Sequence, residues 1–126
     1  MTQTILIVED DRSLRDGLRA KLTHEGYAVL EATNGDEGLQ TALKEHPDAI
    51  LLDMLMPRMD GIATLKALRS DEWGKDAKVL VLSNMDDLTK VSEAVALDAH
   101  DYLIKSDHTI EEIVEKIKTK LAASLK

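Results

Sequence analysis

The feature that most restricts the fold is a strict alternation of two kinds of segment. Short aliphatic runs occupy residues 4–8, 28–32, 49–53, 78–83 and 101–104. Their length and β-branched content favour strands, and the near-continuous apolar ones suit strands covered on both faces. Between them, apolar residues recur at helical spacing. Leu14, Leu18 and Leu22 mark a first helix, Leu39, Ala42 and Leu43 a second, and Ile62, Leu65 and Leu68 a third. Leu88, Val91 and Val95 mark a fourth, and Ile110, Ile113, Val114, Ile117 and Leu121 form the longest stripe.

The punctuation agrees with this division. Asn34-Gly35 is a turn signal ahead of the second helix, His46-Pro47 ends it, and Asp60-Gly61 opens the third. Thr109, followed three residues later by Glu112, resembles a capping box for the last helix. Alternating strand and helix predicts an α/β fold: a doubly wound, five-stranded parallel sheet with helices on both faces. In such sheets, ligands bind outside the carboxyl ends of the strands, beside the point where strand order reverses.

Composition removes several classes of function. The chain has 126 residues, enough for one domain with its own core, and no output domain is expected within residues 1–126. A net charge of −8 argues against direct binding of nucleic acid or an anionic membrane surface. Without cysteine there is no disulfide, thiolate metal site or cysteine nucleophile, and a cytoplasmic location is expected. No signal peptide is evident at the N-terminus, and no run approaches the roughly 18 apolar residues of a membrane helix.

The predicted strand ends carry the chemistry. Glu9-Asp10-Asp11 follows the first strand, Asp53 ends the third, Ser83 ends the fourth, and Lys105 follows the fifth. Parallel strands bring all of these to one edge. Carboxylates about 5 Å apart repel by roughly 3 kcal/mol per pair at an effective dielectric near 20, and one lysine cannot neutralise them. Either some carboxyl pKa values rise or a hard dication binds. An all-oxygen donor set suits Mg²⁺, with Mn²⁺ the alternative. Metal, carboxylate nucleophile, lysine and hydroxyl together make a phosphoryl-transfer site. Taken alone, Glu9, Asp10 and Asp11 also fit a cluster complementing a helix dipole.

These residues resemble the receiver domains of two-component response regulators. The resemblance rests on Ile5-Leu6-Ile7-Val8-Glu9-Asp10-Asp11, on the block from Leu51-Leu52-Asp53 to Asp60-Gly61, on Val79-Leu80-Val81-Leu82-Ser83, and on Asp101-Tyr102-Leu103-Ile104-Lys105. It implies a flavodoxin-like sheet of order 2-1-3-4-5. It implies that Asp53 accepts phosphate from a sensor histidine kinase, a phosphotransfer protein or a small phosphodonor, so that the module catalyses its own modification. By position, Asp10 matches a direct Mg²⁺ ligand, Glu9 an acidic partner acting through water, and the Leu55 carbonyl the remaining protein ligand. Lys105 matches the lysine that pairs with the phosphoryl group. Ser83 and Tyr102 match the switch hydroxyl and switch aromatic.

The same resemblance implies output through the fourth helix, fifth strand and fifth helix toward a downstream protein, as a monomer or a phosphorylation-dependent dimer. Lys90, Val91, Ala94 and Tyr102 are expected in or beside that surface. Three positions depart from the family pattern. Ser106 replaces the usual proline after the lysine, so a cis peptide there costs about 2.5–4 kcal/mol. Asn84 replaces a small residue after Ser83. Asp98 stands where glycine is common and suits a left-handed backbone better than most residues. Leu55 and Met85 are expected to shield the phosphoryl group from water. The alternative readings are a phosphate-independent scaffold on the same fold and a Mg²⁺-dependent phosphatase with an aspartyl nucleophile. Trp73 is expected to pack on the third helix, and the four histidines to lie on the surface.

Overall fold

A computed structural model describes residues 2–54, 59–83, 88–99, 101–105 and 108–123, the side chains of 88–91, 101 and 123 apart. The elements alternate from end to end: β1 (Thr4–Val8), α1 (Arg12–His24), β2 (Ala28–Ala32), α2 (Gly35–Glu45), β3 (Ala49–Asp53) and α3 (Gly61–Arg69). A single 3-10 turn (Gly74–Asp76) then leads into β4 (Val79–Ser83), α4 (Leu88–Ala96), β5 (Asp101–Ile104) and α5 (Ile110–Ala123). All paired strands are parallel, in the order β2-β1-β3-β4-β5. Order reverses at β1, which lies between β2 and β3.

Side-chain alternation divides the core into two layers. Ile5, Ile7, Ala49, Leu51, Leu80, Leu82 and Leu103 face α1 and α5, where Leu18, Leu22, Ile113, Val114, Ile117 and Leu121 cover them. Leu6, Val8, Ile50, Leu52, Val79 and Val81 face the other way, against Ala42, Ile62, Leu65, Leu68 and Ala94 of α2, α3 and α4. Each fully buried Leu or Ile contributes about 1.5–3 kcal/mol, so the α5 stripe is a principal anchor of the first layer.

The helix ends follow local chemistry. Asn34 caps α2 by accepting from the Glu37 amide at 2.8 Å, while the Glu37 carboxylate accepts from the Thr33 amide at 2.8 Å. Asp60 caps α3 through the Ala63 amide at 2.8 Å. Before α5 the capping box closes in both directions: Glu112 N–H to Thr109 Oγ1 at 3.1 Å, and Thr109 N–H to Glu112 Oε1 at 2.8 Å. His46 ends α2 in a left-handed conformation, φ 49°. Gly61 is required by proximity: a Cβ there would lie 2.5 Å from the Asp53 carbonyl oxygen.

The fourth helix departs from the expected stripe. Val95 is 63% exposed, while Ala94 is fully buried beneath the helix. At this end of the helix the buried position is therefore 94 and not 95, because alanine is too weakly apolar to signal which side meets the sheet. Ala94, being buried, can lie beside but not in the expected output surface.

Candidate functional site

The site is built where β1, β3, β4 and β5 end. Past the last residue of β1, the Glu9 amide still donates to the Ala32 carbonyl at 3.0 Å. That bond carries β1–β2 pairing one residue further and turns the Glu9 side chain inward, where it is 1% exposed. Its Oε2 accepts from the Asp11 amide at 3.0 Å. Asp11 itself caps α1 through the Leu14 amide at 3.2 Å. Asp11 thus serves the helix, whereas Glu9 and Asp10 serve the pocket: among the described residues, carboxylate oxygens of Glu9, Asp10 and Asp53 lie within 4.8 Å of one another.

Asp53 ends β3 opposite Leu82 of β4 and is 2% exposed. Lys105, just past β5, reaches back across the sheet edge. Its Nζ lies 2.9 Å from Glu9 Oε1 and 3.2 Å from Asp53 Oδ1. Three carboxylates and one ammonium, if all were charged, would carry a net −2 in a mostly desolvated space. The consequence appears in the acceptor: burial, then the charge of Glu9, pushes the Asp53 carboxyl up from 3.8 to about 7, with Lys105 offsetting only part. Burial pulls the Lys105 ammonium down, but its hydrogen bond to Glu9 and the charges of Asp53 and Glu9 outweigh that and hold its pKa above the ordinary value.

This donor set fits a small hard cation. All donors are carboxylate oxygens, two are buried, Asp10 is exposed as an entrance, and the excess charge equals that of a dication. Of the two consequences expected of crowded carboxylates, the raised carboxyl pKa is present at Asp53, and the all-oxygen donor set is of the kind that suits a hard dication.

Ser83 and Tyr102 lie on the path away from the pocket. Ser83 ends β4, is 2% exposed, and pairs in register with Ile104, the residue before Lys105. Tyr102 sits two residues earlier on β5, half-buried against the layer that contains Ala94. Strand parity puts Ser83 on that same α4 side of the sheet. Asp98, after α4, has φ 60°, the left-handed conformation expected of it. Leu55, Asn84, Met85 and the Lys105–Ser106 peptide lie outside the described residues, as do the side chains of Lys90 and Val91.

Two arginines with structural duties escape sequence reasoning, because in a helix each reads as a solvated residue. Arg15 of α1 spans to β2 and to the turn that carries the acidic residues. Arg69 of α3 donates to four carbonyls: Leu97 at 2.7 Å, Gly74 at 2.7 Å, Ala77 at 2.9 Å and Asp98 at 2.9 Å. It ties the end of α4 and the left-handed Asp98 to the 3-10 turn. Two smaller expectations also change. Trp73 does pack on the α2–α3 layer, but its ring partner is His46, stacked with centroids 4.5 Å apart. His108 is half-buried, its Nδ1 3.0 Å from the Ile104 carbonyl oxygen, so it braces the strand that delivers Lys105.

A parallel 2-1-3-4-5 sheet with carboxylates, a lysine and a hydroxyl at its carboxyl edge makes this a doubly wound α/β module with its polar groups gathered at one end. Comparison with known sequences makes the class specific: the family described as response regulator receiver domain matches residues 5–118, and the chain belongs to it. It is 38% identical over 117 residues to the response regulator MprA of Mycobacterium leprae, covering 93% of this chain and 50% of the relative. With the protein of the same name from Mycolicibacterium vanbaalenii it shares 37% over 121 residues, 96% of this chain and 51% of that one. The chain therefore spans about half the length of the curated relatives it matches.

Among solved structures, a CheY-like receiver domain protein from Methanospirillum hungatei superposes with a TM-score of 0.90 at 28% identity, covering 98% of this chain and 96% of that one. A putative response regulator from Chloroflexus aurantiacus gives 0.87 at 34% identity, covering 97% and 99%. As a response-regulator receiver, the chain belongs to phosphorelay signalling. Among the described residues, no helix is long and apolar enough to cross a membrane.

Proposed function

We propose that Asp53 is the phosphoryl acceptor, taking the group from a histidine kinase, a phosphotransfer protein or a small phosphodonor. The observation that carries this is a buried strand-end carboxylate 3.2 Å from a lysine and beside two further carboxylates. A carboxylate oxygen of Asp53 attacks phosphorus in line. The new P–O bond forms as the donor's bond to phosphorus breaks, and the leaving group departs with that electron pair. Lys105, already on Asp53 Oδ1, follows the charge to the phosphoryl oxygens. Glu9 anchors Lys105 from the other side, so the ammonium is positioned before the donor arrives.

Asp10, Asp53 and the Leu55 carbonyl would hold Mg²⁺ directly, with Glu9 acting through water; the ion supplies neutralisation of charge shared by acceptor and phosphoryl oxygens. A phosphoryl group adds about two negative charges and new acceptor oxygens at the end of β3. The Ser83 hydroxyl donates to them, and Tyr102, already on the α4 side of the sheet, turns inward into the space the hydroxyl vacates. The α4–β5–α5 surface is the output, toward a downstream protein or a second receiver. Exposed Val95 supports this surface, since it presents apolar area on α4 that the fold does not use. The test is intact mass after incubation with acetyl phosphate and Mg²⁺. One phosphoryl group should appear, map to Asp53, and be absent from Asp53→Asn. Phosphate on Ser83 or on a histidine overturns the assignment.

A further inference from the structure

Asp10 poses a problem of placement. It is exposed, and among the described residues nothing holds its carboxylate. Its direction therefore depends on the backbone that presents it, and one side chain sets that backbone. Arg15 Nη1 donates to the Glu9 carbonyl at 2.9 Å and lies 3.5 Å from the Asp10 carbonyl. Because the peptide between residues 9 and 10 is planar, fixing the Glu9 carbonyl fixes the plane from which Asp10 departs. It also leaves the Glu9 carboxylate pointing the other way, toward Lys105 and the Asp11 amide.

Arg15 is itself fixed at two further points. Its Nε donates to Glu31 Oε2 of β2 at 3.1 Å, and its own amide is bound into α1 through the Asp11 carbonyl at 2.9 Å. The side chain is only 14% exposed. Glu31 pairs in register with Ile7, so it sits on the strand beside the one that ends at Glu9. Arg15 thus joins α1, β2 and the β1–α1 turn. Arg19 also reaches Glu31, at 3.2 Å, but its other ion pair is with Asp16 of α1, and among the described residues it has no hydrogen bond to the turn.

We propose that Arg15, oriented by Glu31, is a positioning residue for the divalent-cation site, setting the turn that presents Glu9 and Asp10. This rests on the reading of that site as a Mg²⁺ site. The sign of the change in Mg²⁺ affinity separates positioning from simple electrostatics. Arg15 is a cation near an excess of carboxylate, so removing its charge should strengthen Mg²⁺ binding if charge alone mattered. If geometry matters, binding weakens, even when the charge is kept.

The experiment is a Mg²⁺ titration, followed by calorimetry and amide NMR, of the parent and of Arg15→Lys, Arg15→Met, Glu31→Gln and Arg19→Lys. Lysine keeps the charge but lacks the rigid fork that reaches two acceptors at once. Arg15→Lys and Arg15→Met should each weaken Mg²⁺ binding about 10-fold, the low end for residues that orient metal ligands. Glu31→Gln should shift it in the same direction, and Arg19→Lys should leave it unchanged. In metal-free protein the Asp11 amide should exchange faster in the Arg15 variants, with little change in melting temperature. Should Arg15→Met fail to fold, Arg15→Lys and Glu31→Gln decide the matter. Affinity that is unchanged or tighter in the Arg15 variants overturns the proposal while leaving the metal site standing. Failure of the parent to bind Mg²⁺ overturns the metal reading, and this proposal with it.

Discussion

The two edges of the same sheet treat their charges in opposite ways. At the amino edge, charged groups close loops. Asp48 Oδ2 accepts from the Thr4 amide at 2.7 Å, and Asp71 Oδ2 from the amides of Trp73 and Gly74 at 2.9 and 3.0 Å. Glu25 meets Lys118 at 2.7 Å, and that hydrogen bond, with the lysine's charge, lowers the Glu25 pKa. Each carboxylate there has a local donor, and each is wholly or partly open to water. At the carboxyl edge, Glu9, Asp53 and Ser83 are buried, the carboxylates outnumber the cation, and Asp53 is pushed up to about 7. The difference shows what separates a structural charge from a functional one. The first is matched where it lies; the second is held in surplus, the condition that the proposed binding of an ion or phosphoryl group would relieve.

The sharpest way to break this comparison is to delete the surplus. Asp53→Asn should abolish phosphorylation by acetyl phosphate, read by intact mass, while leaving the fold intact by circular dichroism. Residual labelling at the parent rate would mean that the acceptor is elsewhere.

The second test is pH. The folded protein holds the Asp53 proton more tightly than the unfolded chain does, with a pKa of about 7 against 3.8. The associated stability is fully present below the unfolded value and is lost as pH rises through the folded one. Metal-free protein should therefore lose stability between about pH 4 and pH 7, by at most about 4 kcal/mol from this group. Urea unfolding in EDTA at pH 5 and pH 8 measures the loss, and Asp53→Asn should flatten it. An equal pH slope in parent and variant would show that Asp53 is not the strained group. Mg²⁺ should narrow the difference by favouring the carboxylate.

At the amino edge, Trp73→Ala removes the stack on His46 and half-buried area, and should cost about 2 kcal/mol, below the range for a fully buried tryptophan. Phosphorylation should not change. A fall in phosphorylation would mean that the two edges are coupled. The smallest effect is expected from Lys118→Ala, which breaks an exposed pair and should barely move the melting temperature.

Much of the fold is legible in the sequence. The runs at 4–8, 28–32, 49–53 and 101–104 are β1, β2, β3 and β5 residue for residue, and β4 starts one residue later than its run, at Val79. The caps at Asn34, Asp60 and Thr109 are equally readable, because a cap bonds within three residues of itself. So are Glu9, Asp10, Asp53, Ser83 and Lys105 as neighbours at one edge, since parallel strands deliver their ends together. Less legible is the division of labour within Glu9-Asp10-Asp11: three similar carboxylates become a lysine anchor, an exposed donor and a helix cap.

What the sequence determined by itself was therefore whatever depends on near neighbours or on period: strand and helix identity, turn chemistry, and which residues end each strand. Tertiary structure alone decided which face of α4 is buried, that Arg15 reaches Glu31 and the Glu9 carbonyl, and that Arg69 gathers four carbonyls from two segments. The reason is physical. A long guanidinium stem gives no local sign of its partners, most of which are backbone atoms, up to 29 residues away, that carry no side-chain identity to read.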